Sequence, residues 1–122
     1  ELVLAVGCEA IIPRAIPGID RAGHFPLRSL EDTSAIESWI ATHHPSKLVV
    51  CGGGFIGLEI AEQLKNRGLE VHVVEAMDQV MAPLDPEMAQ YLHEELQKHG
   101  IHLHLSDPVA SFQEGGAASE CL

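Results

Sequence analysis

The chain has 122 residues, 46% apolar and 20% charged, with 7 Lys+Arg against 18 Asp+Glu and a net charge of −11. That length fits one domain with a real core, and the composition excludes a disordered chain. So acidic a sequence lacks the basic face of a nucleic-acid binder, and no apolar run approaches the roughly 20 residues of a membrane-spanning helix. Cys8, Cys51 and Cys121 are odd in number and form no C-x-x-C pair, which excludes a disulfide scaffold and fits a reducing, cytoplasmic setting.

In chain order, Glu1 to Gly7 reads as a short buried strand ending at glycine. Residues 8–28 hold Pro13, Pro17, Gly18, Gly23 and Pro26, breakers that predict an extended connector. Ser29 opens a helix with Glu31 and Asp32 in its first turn. Leu30, Ile36, Trp39, Ile40 and His43 form one face, and Pro45 ends the element. Leu48 to Cys51 is an apolar strand running into Gly52-Gly53-Gly54-Phe55-Ile56-Gly57. A helix to about Asn66 turns Ile56, Ile60, Ala61 and Leu64 inward, and Gly68 stops it.

A second strand runs from Glu70 to Val74 and ends at Glu75. Asp85 and Pro86 start a third helix, as N-cap and first helical residue, with Met88, Tyr91, Leu92 and Leu96 at helical spacing and Gly100 as the stop. Residues 101–105 alternate apolar and polar, the pattern of a strand with two different faces. Residues 109–112 read as another strand, Gly115-Gly116 as a turn and residues 118–122 as the start of a return strand. Both ends read as cut from a longer chain. The order strand–helix–strand–helix–strand predicts an α/β, Rossmann-like three-layer domain. It has a parallel sheet and a partial antiparallel hairpin at the C-terminal end.

Gly52-x-Gly54-x-x-Gly57 follows a strand and opens a helix, the context of a dinucleotide-binding turn. Gly52 permits the tight turn, Gly54 lets the backbone approach a pyrophosphate, and Gly57 lets helix and strand pack closely. Free N–H groups and the helix dipole then hold the phosphates, so an acidic chain can bind an anionic ligand. Glu75 lies 18 residues after Gly57, close to the spacing at which an acid accepts the adenosine ribose hydroxyls. It would repel a 2′-phosphate, and no basic residue lies between Arg67 and Lys98 to receive one, so NAD(H) is expected over NADP(H).

The run Val49 to Glu59 resembles the NAD-binding domain of the pyridine nucleotide-disulfide oxidoreductases, as do Val73-Val74-Glu75 and Leu84 to Met88. The branch most similar holds CoA-disulfide reductases, NADH oxidases and NADH peroxidases. Leu2 to Gly7, Pro13 and Ile16-Pro17-Gly18 resemble the last stretch of that family's FAD domain, with Ala5-Val6-Gly7 where Ala-Thr-Gly is usual. The resemblance implies that residues 1–28 are a remnant of an FAD-domain strand and connector, and residues 29–122 a truncated NAD-binding domain. It implies a flavoenzyme, usually a homodimer, using NAD and FAD. Electrons would pass from NADH through the flavin, held by another domain of the same chain, to a disulfide, oxygen or peroxide acceptor. The redox cysteine would lie outside this chain, so the isolated chain is expected to be inactive.

Cofactor-binding residues are then expected at Gly52, Gly53, Gly54, Phe55, Ile56, Gly57, Glu59 and Glu75. Phe55 matches an aromatic gate over the nicotinamide pocket, and Glu59 a glutamate near the nicotinamide–flavin contact. No catalytic residue is assigned. No metal site is assigned either. His102 and His104 share a strand face and His43-His44 are adjacent, but neither set has the helical spacing or cysteine partner of a zinc site. The alternative function is a Rossmann module that senses NADH or docks a partner without catalysis of its own. The flavin-domain likeness of residues 1–28 favours the enzyme.

Overall fold

The computed structural model describes residues 1–114. Its elements are α1 (Leu30–His43), β1 (Lys47–Cys51), α2 (Phe55–Asn66), β2 (Glu70–Val74), α3 (Pro86–Lys98) and β3 (Ile101–His104). Contacts divide the chain between His43 and His44. Among the described residues, 1–43 group with 111–114, and His44–Ala110 forms a second unit.

In the second unit the three strands form a parallel sheet in the order β1-β2-β3. Helix α2 packs on β1 and β2, and α3 on β3. Side chains alternate across a strand, so Val71 and Val73 of β2 and Ile101 of β3 enter the core beside Ala61 and Leu64 of α2 and Ala89 of α3. Val80 and Met81, from the connection between β2 and α3, complete it. Burying Val71, Val73 and Val80 contributes about 1.5–3 kcal/mol each. Just past the C-caps of α2 and α3, Arg67 and His99, stand Gly68 and Gly100, both at positive φ.

The inward faces differ from the predicted ones in two places. Ile56 is exposed, and the α2 core face begins one turn later, at Ile60 and Ala61. Met88 and Tyr91, which spacing grouped with Leu92 and Leu96, are exposed; Ala89, Leu92, His93 and Leu96 face inward, where α3 packs on β3. Asp85 holds the position before α3 with extended backbone, but its side chain caps nothing.

In the first unit, α1 begins with a reciprocal cap. Ser29 Oγ accepts the Asp32 N–H at 3.3 Å, and Asp32 Oδ2 accepts the N–H groups of Ser29 and Arg28 at 2.9 and 2.8 Å. Those backbone hydrogen bonds hold the Asp32 carboxyl below its usual range. Ile36, Trp39 and Ile40 are half-buried, whereas Leu30 is exposed. The Trp39 ring stacks on His43, with centroids 3.7 Å apart, and meets Phe25 edge-on.

Two expected strands do not form among the described residues. Residues 1–7 are irregular, with Leu2, Val3, Leu4 and Val6 exposed, and no strand among the described residues pairs with them. Residues 109–112 are irregular as well, and the Phe112 N–H donates to the Pro17 carbonyl at 2.8 Å instead of to a ladder. The antiparallel hairpin expected at the C-terminal end therefore lacks its first strand. Its turn and return strand, from Gly115 on, lie outside the described residues.

Candidate functional site

At the end of β1 the chain turns sharply through Gly52, whose φ of +110° lies in the region that L side chains rarely adopt. The Gly52 N–H donates to the Val74 carbonyl at 2.8 Å, so the turn is tied to the end of β2. Helix α2 then starts against the strand. A Cβ built on Gly57 falls onto the Gly52 carbonyl oxygen and lies 3.5 Å from Val50 Cγ1. Gly54 is the N-cap, with extended backbone (φ −81°, ψ −175°) and no side-chain cap. The first helical hydrogen bond runs from the Leu58 N–H to the Gly54 carbonyl, at 3.0 Å. The N–H groups of Phe55, Ile56 and Gly57 thus open the helix without intrahelical partners, at its positive end.

Glu75 follows β2 and bridges two loops. Its Oε2 accepts the Gly53 N–H at 2.7 Å and its Oε1 accepts the Met77 N–H at 2.8 Å. A carboxylate has about four acceptor positions, so each oxygen keeps one for a further donor. Two such oxygens at a strand end, beside a glycine turn, suit a vicinal diol.

The loop after Glu75 is fixed on the same turn. The Met81 N–H donates to the Gly53 carbonyl at 2.8 Å, and Val80 fills the space a Gly53 side chain would need, with Cγ1 2.8 Å from a built Cβ. The buried Val80 N–H donates to Nε2 of His93 on α3, at 3.1 Å. Sequence reasoning missed His93. Its signal was its place one turn after Ala89 on the inward seam of α3, where a polar side chain needs a partner.

The other predicted residues gather on the first turns of α2. Phe55 and Ile56 are 71% and 57% exposed, and Glu59, one turn after Phe55, is exposed as well. Phe55 is therefore not a core aromatic. The cysteines are not brought into the turn as a pair. Cys8 lies exposed in the first unit and Cys121 outside the described residues. Cys51 ends β1; protein around its sulfur pushes the thiol up, although the residue as a whole keeps contact with solvent.

A parallel sheet, a glycine turn under an uncapped helix and an acid at the next strand end define a Rossmann-type α/β unit. Residues 1–121 match the pyridine nucleotide-disulphide oxidoreductase family, and the chain belongs to it. An NADH oxidase of Methanocaldococcus jannaschii is 47% identical over 109 residues, 88% of this chain and 24% of that protein. Among solved structures, reduced CoADR-RHD of Bacillus anthracis superposes with a TM-score of 0.86 at 43% identity, over 89% of this chain and 20% of that one. The NADH-bound water-forming NADH oxidase of Lactobacillus brevis gives 0.75 at 28% identity, over 84% and 22%. The chain spans about a quarter of the length of the curated relatives it matches. No helix among the described residues is long and apolar enough to cross a membrane.

Proposed function

We propose that this chain is the NAD(H)-binding part of an FAD-dependent oxidoreductase, in which electrons pass from NADH by way of the flavin to a disulfide, oxygen or peroxide acceptor. The observation that carries the reading is Glu75, whose carboxylate faces the Gly52–Gly57 turn and ties it to the 76–84 loop. The family, the NADH oxidase relative and the NADH-bound structural neighbour support it. The flavin, when bound, supplies the two-electron relay.

This chain's residues do the binding. The N–H groups of Phe55, Ile56 and Gly57 hold the pyrophosphate, and Gly52, Gly53 and Gly54 keep side chains out of its way. Glu75 accepts the ribose hydroxyls. Phe55, exposed at the start of α2, covers the nicotinamide pocket until NADH enters, and Glu59 stands one turn further along the same helix. Residues 1–28 form the end of the flavin domain and residues 29–122 part of the NAD domain, in a cytoplasmic homodimer. Alone, the chain turns over neither disulfides nor oxygen.

The test is Glu75→Arg in the full-length flavoprotein, read as the ratio of kcat/KM for NADH and NADPH. A charge-assisted hydrogen bond contributes about 1.5–3 kcal/mol, so NADH affinity should fall roughly tenfold or more while the ratio moves towards NADPH. An unchanged ratio, in a variant that stays folded and keeps its flavin, removes Glu75 from the cofactor site.

A further inference from the structure

Strands of a parallel sheet are usually apolar on both faces, because both are covered. Here one face is apolar and the other is mixed, with Val49 and Val74 beside charged and imidazole side chains. Opposite Val71, Val73 and Ile101, the strands present Glu70 and His72 of β2 and His102 and His104 of β3. The parallel register sets His72 beside His102 and Val74 beside His104. The His72 ring stacks on His102, with centroids 4.6 Å apart and planes 20° apart. Its Nε2 lies 2.9 Å from Glu70 Oε1 and its Nδ1 lies 2.8 Å from His104 Nε2.

We propose that Glu70, His72 and His102 bind one divalent transition-metal ion, zinc being the best fit, with His104 orienting His72. One ligand atom from each of the three residues lies within 4.8 Å of the others. Zinc bonds of about 2.0–2.1 Å set tetrahedral ligands roughly 3.4 Å apart, so the widest gap must close by up to about 1.4 Å while the His72–Glu70 pair, 2.9 Å apart, opens slightly. The exposed His102 ring supplies that movement by turning about its broad terminal torsion. Its nitrogens have no protein partner among the described residues.

His104 engages Nδ1 of His72 and leaves Nε2 pointing at Glu70, as a supporting residue behind a ligating imidazole does. Lys47 Nζ, 3.1 Å from Glu70 Oε1, occupies one edge of the cluster. That pair is exposed and contributes little, so an ion displaces it readily. Two imidazoles and one carboxylate are a borderline donor set, suited to zinc and cobalt rather than to calcium or magnesium. Spacing along one strand could not reveal the site, because its ligands come from two strands and meet only through the register.

The test titrates the chelator-treated chain with zinc by calorimetry and with cobalt by visible absorption. One saturable zinc site per chain is expected. His72→Asn and His102→Ala should each weaken it by tenfold or more, and His104→Ala by about tenfold. His44→Ala, away from the cluster, should leave it unchanged. His102 is exposed, so a far-UV circular dichroism spectrum like the parent's is expected for its variant and certifies the comparison. The proposal fails if zinc shows no saturable binding, if binding survives the loss of His72 and His102, or if cobalt gives the charge-transfer band of a thiolate, which would place the ion on a cysteine instead of the cluster.

Discussion

Replacing Gly57 by alanine tests the junction between β1 and α2. The added methyl would fall onto the Gly52 carbonyl oxygen, with the Gly52 carbonyl carbon 3.1 Å away. That carbonyl cannot simply swing aside. The Gly52 N–H is held by Val74 at 2.8 Å and the Gly53 N–H by Glu75 at 2.7 Å, so the peptide between them is tied at both ends. Relief must come from moving α2 off the strand, which also separates Ala61 and Leu64 from Val71 and Val73. Overpacking of this kind costs about 1–3 kcal/mol. For a unit of this size each kcal/mol lowers Tm by about 4–8 °C, so a fall of about 10 °C is expected for the midpoint of that range.

Thermal unfolding followed by circular dichroism measures it, with Gly54→Ala as the comparison. A Cβ on Gly54 meets nothing within 4 Å and its φ of −81° suits any residue, so that variant should cost no more than a weakened N-cap, about 1 kcal/mol or less. Equal Tm values for Gly57→Ala and the parent would refute the claim that close helix–strand approach requires glycine there.

His93→Leu should lower stability by about 1–3 kcal/mol, because it leaves the buried Val80 N–H unpaired; His93→Gln, which keeps an acceptor, should recover part of it, and a denaturant midpoint that moves for neither would refute the bond. The Asp32 cap should be sensitive to acid. Hydrogen bonds from Ser29 and Arg28 depress its folded-state pKa, so its contribution is complete above the unfolded value of about 3.9 and is lost as pH falls through the folded one. Amide exchange at Thr33 and Ser34 should accelerate below about pH 4 in the parent and show no such step in Asp32→Asn; matching profiles would refute the cap.

The strand–helix–strand–helix–strand order was legible because its signals are local. Apolar runs, the glycine turn, Pro86, Gly68 and Gly100 each act within a few residues of where they stand. The errors fall where the decisive partner is distant. Leu2 to Val6 has the composition of a strand, but a strand needs a neighbour to bond, and composition does not provide one. Helical spacing groups Met88 and Tyr91 with Leu92 and Leu96, but it fixes a period and not its phase; the packing of α3 on β3, with Ala89 buried, sets the phase. At the site, the glycine positions and Glu75 follow from spacing. That Glu75 reaches the Gly53 N–H and His93 the Val80 N–H depends on side chains meeting backbone 22 and 13 residues away, which no short-range pattern encodes.

Those longer-range bonds bear on how an acidic chain would hold an anionic cofactor. Net charge acts over a Debye length of about 8 Å in physiological salt, whereas the helix N-terminus acts at contact, through N–H groups already aimed outward. What matters is that these donors need not be organised at the moment of binding. Gly52 is tied to Val74, Gly53 to Glu75 and Met81, and Val80 to His93, so both sides of the turn are fixed by bonds that make no use of a ligand. Ordering cost is then met in folding rather than in binding. The same arrangement gives Glu75 two functions on one carboxylate: one position of each oxygen holds the loops, and the other faces outward. Under the proposed function, selectivity for a ribose diol and rigidity of the turn would rest on the same carboxylate, and a substitution at Glu75 would change both. The kcat/KM ratio separates them, since loosening the turn weakens both cofactors alike while reversal of charge does not.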